Sequence, residues 1–243
     1  MIYNIHMINK LKNALNSSQK IVFFTGAGMS TDSGIPDFRS ATGLYANNLH
    51  AEEIVSHSFF MSNPKEFYDF YKEKMLFPDA LPNYGHEFIS KLQDKKDVTV
   101  VTQNIDGLHQ LAGSKKVYEI HGSIHRNYCM KCHKSYSLID IINSDGVPYC
   151  KCGGIIKPDV VLYEEALDSD TIDKAITAID DADMLVILGT SLNVYPAASF
   201  INYFKGNCLA IINKTSTPKD DICDIVIHDS ISDTFRKINE MVL

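Results

Sequence analysis

Short unbroken apolar runs alternate along this chain with longer stretches of helical spacing. Residues 21–24, 98–102, 184–188 and 209–212 are apolar almost throughout, the pattern of strands covered on both faces rather than one. Residues 116–120 and 224–228 are further strand candidates, and 160–162 is another extended run. Between them, residues 9–18 read as a short helix, and a second helix is expected from Pro64, with Phe67, Phe70, Tyr71 and Met75 sharing one face. Phe88, Ile89 and Leu92 mark a third helix, Ile172, Ala175, Ile176 and Ile179 a fourth, and a last one runs to the C-terminus. Strands alternating with helices predict βαβ units and a parallel sheet, hence an α/β fold.

Ligands of such sheets bind beyond the carboxyl ends of the strands. The polar clusters at 25–39, 103–106, 121, 189–191 and 213 all fall at those ends. The first opens with Gly26-Ala27-Gly28, where glycines let the backbone turn sharply and approach a phosphate. It is not the dehydrogenase fingerprint, because Thr31 stands where that motif needs its third glycine. Pro36-Asp37-Phe38-Arg39 instead places a stiff turn, an aromatic ring and a guanidinium just after the glycines.

The segment 122–157 breaks the alternation. It is rich in cysteine, lysine and turn residues, has no sustained apolar period, and reads as an inserted module. Cys129-x-x-Cys132 and Cys150-x-Cys152 offer four thiolates in two close pairs, able to surround one Zn²⁺ tetrahedrally with no open position, which is a structural site. The second pair is one residue shorter than usual, and His133 is an alternative ligand. Cys208 and Cys223 lie in apolar runs and read as buried packing residues.

Composition narrows the classes. A net charge of −7 argues against general nucleic-acid binding, which needs a basic face. No basic patch followed by an apolar core opens the chain and no run reaches membrane-span length, so the expected location is the cytoplasm, where six cysteines favour metal ligation or burial over disulfides.

Among the polar clusters, His121 is the candidate general base, since its ordinary pKa near 6.5 lets it accept a proton at neutral pH, and Gly122 beside it is expected to leave the ring's surroundings open. Asn104 and Asp106 could bond a carboxamide or a ribose; Asp106 could equally cap a helix beginning near Gly107. Arg39 is either a phosphate ligand or a surface charge, and Ser191 and Asn213 are either hydroxyl and phosphate donors or turn residues. No Gly-x-Ser-x-Gly elbow supports a serine hydrolase.

Taken in order, the segments 26–30 and 33–39, Thr102-Gln103-Asn104-Ile105-Asp106-Gly107-Leu108-His109, His121-Gly122, the four cysteines, Lys157-Pro158-Asp159-Val160-Val161 and Gly189-Thr190-Ser191-Leu192 with Val194 resemble the sirtuins, NAD-dependent protein-lysine deacylases, over most of the chain. The resemblance implies a Rossmann-like parallel-sheet large domain from residues 1–40, 86–121 and 158–243. It also implies a small domain made of a helical insertion at 41–85 and a zinc-binding insertion at 122–157. It places NAD as co-substrate in the cleft between them, with Gly26 and Gly28 approaching its pyrophosphate and Ala27, Thr31, Phe38 and Arg39 in contact with it, the last two closing over the nicotinamide-ribose end. Gln103, Ile105 and Asp106 would line the nicotinamide and ribose pocket, and Asn104 and His121 would also bind NAD. Gly189, Thr190, Ser191, Asn213, Ser230 and Ile231 fall toward the adenosine half. Val160, Val161 and Leu162 would pair by backbone with an acyl-lysine peptide.

The implied reaction is attack of the acyl-lysine carbonyl oxygen on the ribose carbon bearing nicotinamide, followed by proton removal from a ribose hydroxyl by His121, with Asn104 and Asp106 the other catalytic residues. Products are free lysine, nicotinamide and O-acetyl-ADP-ribose. Sirtuins that prefer succinyl or malonyl lysine carry Tyr-x-x-Arg in the helical insertion; the chain reads Tyr68-Asp69-Phe70-Tyr71, which implies a preference for uncharged acyl groups such as acetyl. Protein ADP-ribosylation by the same fold and a non-enzymatic zinc module are the other readings, and no membrane partner is expected.

Overall fold

A computed structural model describes residues 2–37, 43 and 50–240. The chain begins with helix α1 (Ile2–Ser17), longer than its apolar spacing predicts, and enters β1 (Lys20–Thr25). Three helices follow in the first insertion, α2 (Ala51–Ile54), α3 (His57–Ser62) and α4 (Pro64–Lys74), and then α5 (Tyr84–Leu92). Next come β2 (Asp97–Thr102), α6 (Leu108–Leu111) and β3 (Val117–Glu119). The cysteine-bearing segment holds β4 (Gly122–Cys129), β5 (Ser135–Tyr136), α7 (Leu138–Ile142) and β6 (Ile156–Val160). Helix α8 (Ser169–Asp180), β7 (Met184–Leu188), β8 (Cys208–Ile212), β9 (Ile225–Ile227) and α9 (Ile231–Glu240) complete the chain.

Six strands form one parallel sheet in the order β3-β2-β1-β7-β8-β9. Successive residues of β1 serve opposite cores: Ile21 and Phe23 pack with Leu11, Ile89 and Phe235 of α1, α5 and α9, while Val22 and Phe24 pack with Ala175 and Ile179 of α8 and with Phe200. That is why these strands read as apolar at every position: both faces are covered by helices. The chain builds β2 and β3 on one side of β1, then returns to build β7, β8 and β9 on the other. The reversal falls between β1 and β7, the place where such sheets leave a crevice at the strand ends.

The two insertions share a third core. Phe60, Phe67, Tyr68 and Tyr71 from the helical part pack with Ile124, Cys129, Leu138, Ile141 and Ile156 from the cysteine-bearing part. The buried stripe of α4 is Phe67, Tyr68 and Tyr71; Phe70, expected in it, is only half-buried and Tyr68 takes its place, its hydroxyl donating to the carbonyl of Ile156. β6 pairs antiparallel with β4 up to Val160. Cys208 and Cys223, expected to be buried, are half-buried against opposite cores.

Candidate active site

The ends of β1 and β7 meet backbone to backbone. Gly26 donates to the Leu188 carbonyl at 3.0 Å and Gly28 to the Gly189 carbonyl at 2.8 Å. A Cβ on Gly28 would stand 2.7 Å from the Gly189 Cα; one on Gly26 would stand 2.7 Å from the Thr190 Cβ. Gly189 itself lies at φ 58°, where a Cβ would press on Gly28 and Met29 at 2.4 Å. The hydrogens a Cβ would replace on these glycines face the neighbouring strand end, so close packing of the two strand ends alone requires glycine here. Ala27 and Thr31 sit half-buried on the two short 3₁₀ turns that follow, and the Thr31 hydroxyl closes onto the Gly28 carbonyl at 3.0 Å.

The end of β2 packs a polar knot beside them. The Asn104 amide donates to the Gly26 carbonyl at 3.0 Å and to Ser30 Oγ at 3.1 Å, and Ser30 Oγ in turn donates to Asp106 Oδ2 at 2.6 Å. Asp106 Oδ1 accepts at 2.9 Å from the N–H of Leu108, the first residue of α6, whose N-cap position is Gly107. Burial raises the Asp106 pKa, while the Ser30 and Leu108 bonds hold it down. Gln103 Nε2 reaches across to Thr190 Oγ1 at 3.1 Å, tying the β2 end to the β7 end, and the carbonyl of Ile105 accepts from Ile124 at 3.0 Å.

His121 follows β3 at the seam between the parallel sheet and the β4–β6 sheet. Its Nδ1 lies 3.0 Å from the Gln103 carbonyl. A carbonyl only accepts, so Nδ1 carries the proton and Nε2 keeps its lone pair. Burial lowers the ring's pKa, with the Gln103 contact opposing, and the imidazole is neutral at pH 7. The adjacent Gly122, expected to leave room around the ring, has a different cause: it lies at φ 76°, and a Cβ there would fall 1.9 Å from the Asp159 carbonyl of β6.

Toward β8, Thr190 Oγ1 also accepts from the Leu192 N–H at 3.2 Å, and Ser191 is exposed. Asn213 turns its amide onto Thr215, at 2.7 Å to the carbonyl. Ser230 Oγ accepts from the Asp233 N–H at the start of α9 and donates to Asp32 Oδ2 at 3.0 Å, whereas the Ile231 side chain is buried in the core. Phe38 and Arg39 lie outside the described residues.

In the 160–162 segment, Val160 and Leu162 bury their side chains. The N–H groups beyond β6 already have partners: Val161 donates to His121, Leu162 to Glu165 Oε2 and Tyr163 to Val55. Glu165 also accepts from buried Lys157 at 3.0 Å and lies 2.8 Å from His57 Nδ1, which pins the segment to α3.

Cys129, Cys132, Cys150 and Cys152 bring their sulfurs within 4.8 Å of one another, with 129–152 at 3.4 Å and 132–150 at 3.6 Å. Sulfurs bound to one zinc at about 2.3 Å in a tetrahedron stand about 3.8 Å apart, so the donor set fits, shortened Cys-x-Cys pair included. His133 is exposed at φ 58° and is outside this cluster. Ser30, Thr25, Thr102 and His109 carry no role that the sequence alone assigns. Their partners lie far away in the chain, Thr25 on Thr102 and His109 and Ser30 on Asn104 and Asp106, so no local spacing rule marks them.

A doubly wound sheet with an Asn–Ser–Asp knot beside its switch point and a neutral histidine at the neighbouring strand end, flanked by a four-thiol module, defines a nucleotide-using α/β enzyme class. The chain belongs to the Sir2 family, whose model matches residues 26–196. It is 56% identical over 238 residues to an NAD-dependent protein deacetylase of Clostridium perfringens, covering 95% of this chain and 98% of that one. An NAD-dependent protein deacetylase of Staphylococcus aureus strain MRSA252 is 46% identical, with 96% and 98% covered. Among solved structures, Sir2 with a p53 peptide and NAD⁺ is 40% identical and superposes with a TM-score of 0.87, covering 97% of this chain and 98% of that one. A Sir2 complex with deacetylated p53 peptide and 3′-O-acetyl ADP-ribose gives 0.90 at 39% identity, with 96% and 98% covered.

Proposed function

We propose that this protein is an NAD-dependent protein-lysine deacetylase that transfers the acetyl group of an acetyl-lysine side chain to ADP-ribose, releasing nicotinamide. The observation that carries the reading is the His121 tautomer: Nδ1–H is spent on the Gln103 carbonyl, leaving Nε2 as a neutral acceptor. NAD supplies the ribose carbon that takes up the acyl oxygen as nicotinamide departs. His121 Nε2 receives the proton of a ribose hydroxyl, and the Gln103 carbonyl steadies the imidazolium that results. Asn104, fixed through Gly26 and Ser30, and Asp106, fixed through Ser30 and Leu108, orient the carboxamide and ribose. Gln103 and Thr190 hold the two strand ends at one separation. Gly26, Ala27, Gly28, Thr31, Ile105, Phe38, Arg39, Gly189, Ser191, Asn213, Ser230 and Ile231 complete the NAD cleft, and residues 160–162 take the peptide backbone. The large domain is drawn from 1–40, 86–121 and 158–243, with the insertions at 41–85 and 122–157. The four cysteines hold a structural zinc.

The setting is the cytoplasm, with acyl-lysine proteins as partners and no nucleic acid; among the described residues no helix is long and apolar enough to cross a membrane. The test incubates the protein with NAD and an acetyl-lysine peptide, following peptide mass and nicotinamide release, beside His121→Ala. Acetyl loss that needs both NAD and His121 is expected; label transfer to protein without deacetylation points to ADP-ribosylation, and inertness overturns the reading. Tyr71, where an acid-selective helix would carry arginine, is fully buried and stacked on Phe67 at 5.5 Å. An acetyl peptide should therefore outcompete its succinyl counterpart in kcat/KM, and a succinyl preference would contradict the assignment.

A further inference from the structure

Two buried histidines lie behind the site and take no part in the mechanism above. His86 on α5 and His109 on α6 are 0% and 1% exposed, with ring centroids 4.7 Å apart at 65°. Each has one partnered nitrogen and one buried nitrogen without a partner: Nε2 of His86 and Nδ1 of His109. Their bonds decide where the protons are. The Asn83 backbone N–H donates to His86 Nδ1 at 3.2 Å, so that nitrogen is bare and the proton is on Nε2. The Thr25 hydroxyl donates its single proton to Thr102 Oγ1 at 2.7 Å, so it accepts from His109 Nε2 at 3.1 Å, which puts the His109 proton on Nε2 and leaves Nδ1 bare. The unpartnered pair is therefore complementary, one donor and one acceptor on touching rings. Beyond Thr25 the sequence of bonds ends at the site: Thr102 Oγ1 also accepts from the Asn104 N–H at 3.0 Å.

We infer that His86 and His109 are positioning residues joined by one water that accepts from His86 Nε2–H and donates to His109 Nδ1, in a hydrogen-bonded chain that fixes the backbone of Asn104. The chain runs from the Asn83 N–H through His86, His109 and Thr25 to Thr102 Oγ1, which receives Asn104. Asn83 also grips the first loop, its amide donating to the Met29 carbonyl at 2.8 Å and to Ser33 Oγ at 3.0 Å, so one device registers α5, the β1 loop and the β2 end together. The chain requires both rings neutral, and burial lowers both pKa values, that of His86 to about 4. The inference rests on the deacetylase reading for its kinetic consequence but not for its tautomers.

The experiment combines two measurements on the full chain. Long-range ¹H–¹⁵N spectra at neutral pH should show His86 and His109 as Nε2–H tautomers and His121 as Nδ1–H. An Nδ1–H or cationic form of His86 or His109 overturns the chain. His109→Gln can present an amide N–H to Thr25, whereas His109→Leu cannot. The leucine variant should lose on the order of tenfold in kcat with the peptide KM kept, and the Asn104 amide should exchange with solvent faster by a similar factor. The glutamine variant should recover most of both. Equal losses in the two variants, or a loss confined to KM, overturn the positioning role. If the leucine variant does not fold, the tautomers and Asn104 exchange in the glutamine variant decide. A wild-type protein inactive on acetyl peptide sinks the deacetylase reading alone, since tautomers and exchange are measured without substrate.

Discussion

Replacing Gly28 with alanine separates two reasons for a glycine at the end of β1. The new methyl carbon would stand 2.7 Å from the Gly189 Cα, 2.9 Å from its oxygen and 3.1 Å from its carbonyl carbon. Carbon atoms settle at about 3.5–4.0 Å, and these three are backbone atoms with no rotamer to yield. The strand ends must part, breaking or lengthening the Gly28 to Gly189 hydrogen bond of 2.8 Å. Overpacking of this kind costs about 1–3 kcal/mol. In a chain of this length each kcal/mol lowers Tm by about 2–4 °C, so a fall of about 2–12 °C is expected by calorimetry. NAD affinity, measured by titration calorimetry below the transition, should fall with it, because the same movement displaces Gly26 and the Asn104 bond to it. Gly146→Ala is the control: at φ 60° with nothing within 4 Å it carries only the left-handed backbone cost, about 1–2 kcal/mol, and should leave NAD affinity alone. A Gly28→Ala protein with unchanged Tm and weakened NAD binding would refute the packing argument and return the glycine to the ligand.

Glu165→Gln should destabilise by about 3 kcal/mol in urea unfolding, because it strips the counter-charge from a Lys157 ammonium whose side chain is 5% exposed; adding Lys157→Met should recover most of the loss, and a larger deficit in the double variant would contradict the pairing. For His121 the folded pKa is lowered, so the base form persists below the ordinary 6.5 and is lost only as pH falls through the lowered value; kcat/KM should be flat through neutrality and decline with a midpoint under 6.5, and a midpoint above 6.5 would show the ring cationic where it must be neutral. Stripping the metal with a chelator should release one zinc per chain and expose the core that Cys129 and Cys150 share with Tyr68 and Tyr71, seen as increased dye binding; a demetallated protein with unaltered unfolding behaviour would rule out a structural role.

How much of this could be read beforehand follows from what each feature depends on. Strands β1, β2, β7 and β8 were legible because covering both faces forces apolar residues at consecutive positions, a local mark. The four cysteines were legible because ligands held on short turns must recur at short spacing. The placement of His121 at a strand end was visible, but its tautomer was not, since that depends on a carbonyl eighteen residues away. Spacing alone puts Phe70 in the core in place of Tyr68, because it cannot say where the second insertion packs, and Tyr68 is chosen by the carbonyl of Ile156.

The glycines show the same limit more sharply, and they also show how the site is held. Gly26, Gly28, Gly122 and Gly189 all invite a ligand explanation when read singly, because each lies beside a polar cluster. In the folded chain a Cβ on Gly28 or Gly189 would strike the other residue's backbone, and one on Gly122 would strike Asp159. These are the joints at which β1 meets β7 and at which the parallel sheet hands the chain to β4 and β6. Asn104 bonds the first joint at Gly26, and the His121 carbonyl accepts from Val161 at the second. The site residues are thus bonded to the places where backbone must touch backbone, so their positions are set by contacts that have little freedom to relax. A substitution that opens either joint should move the chemistry along with the stability, whereas one on the exposed face of α4 should move neither.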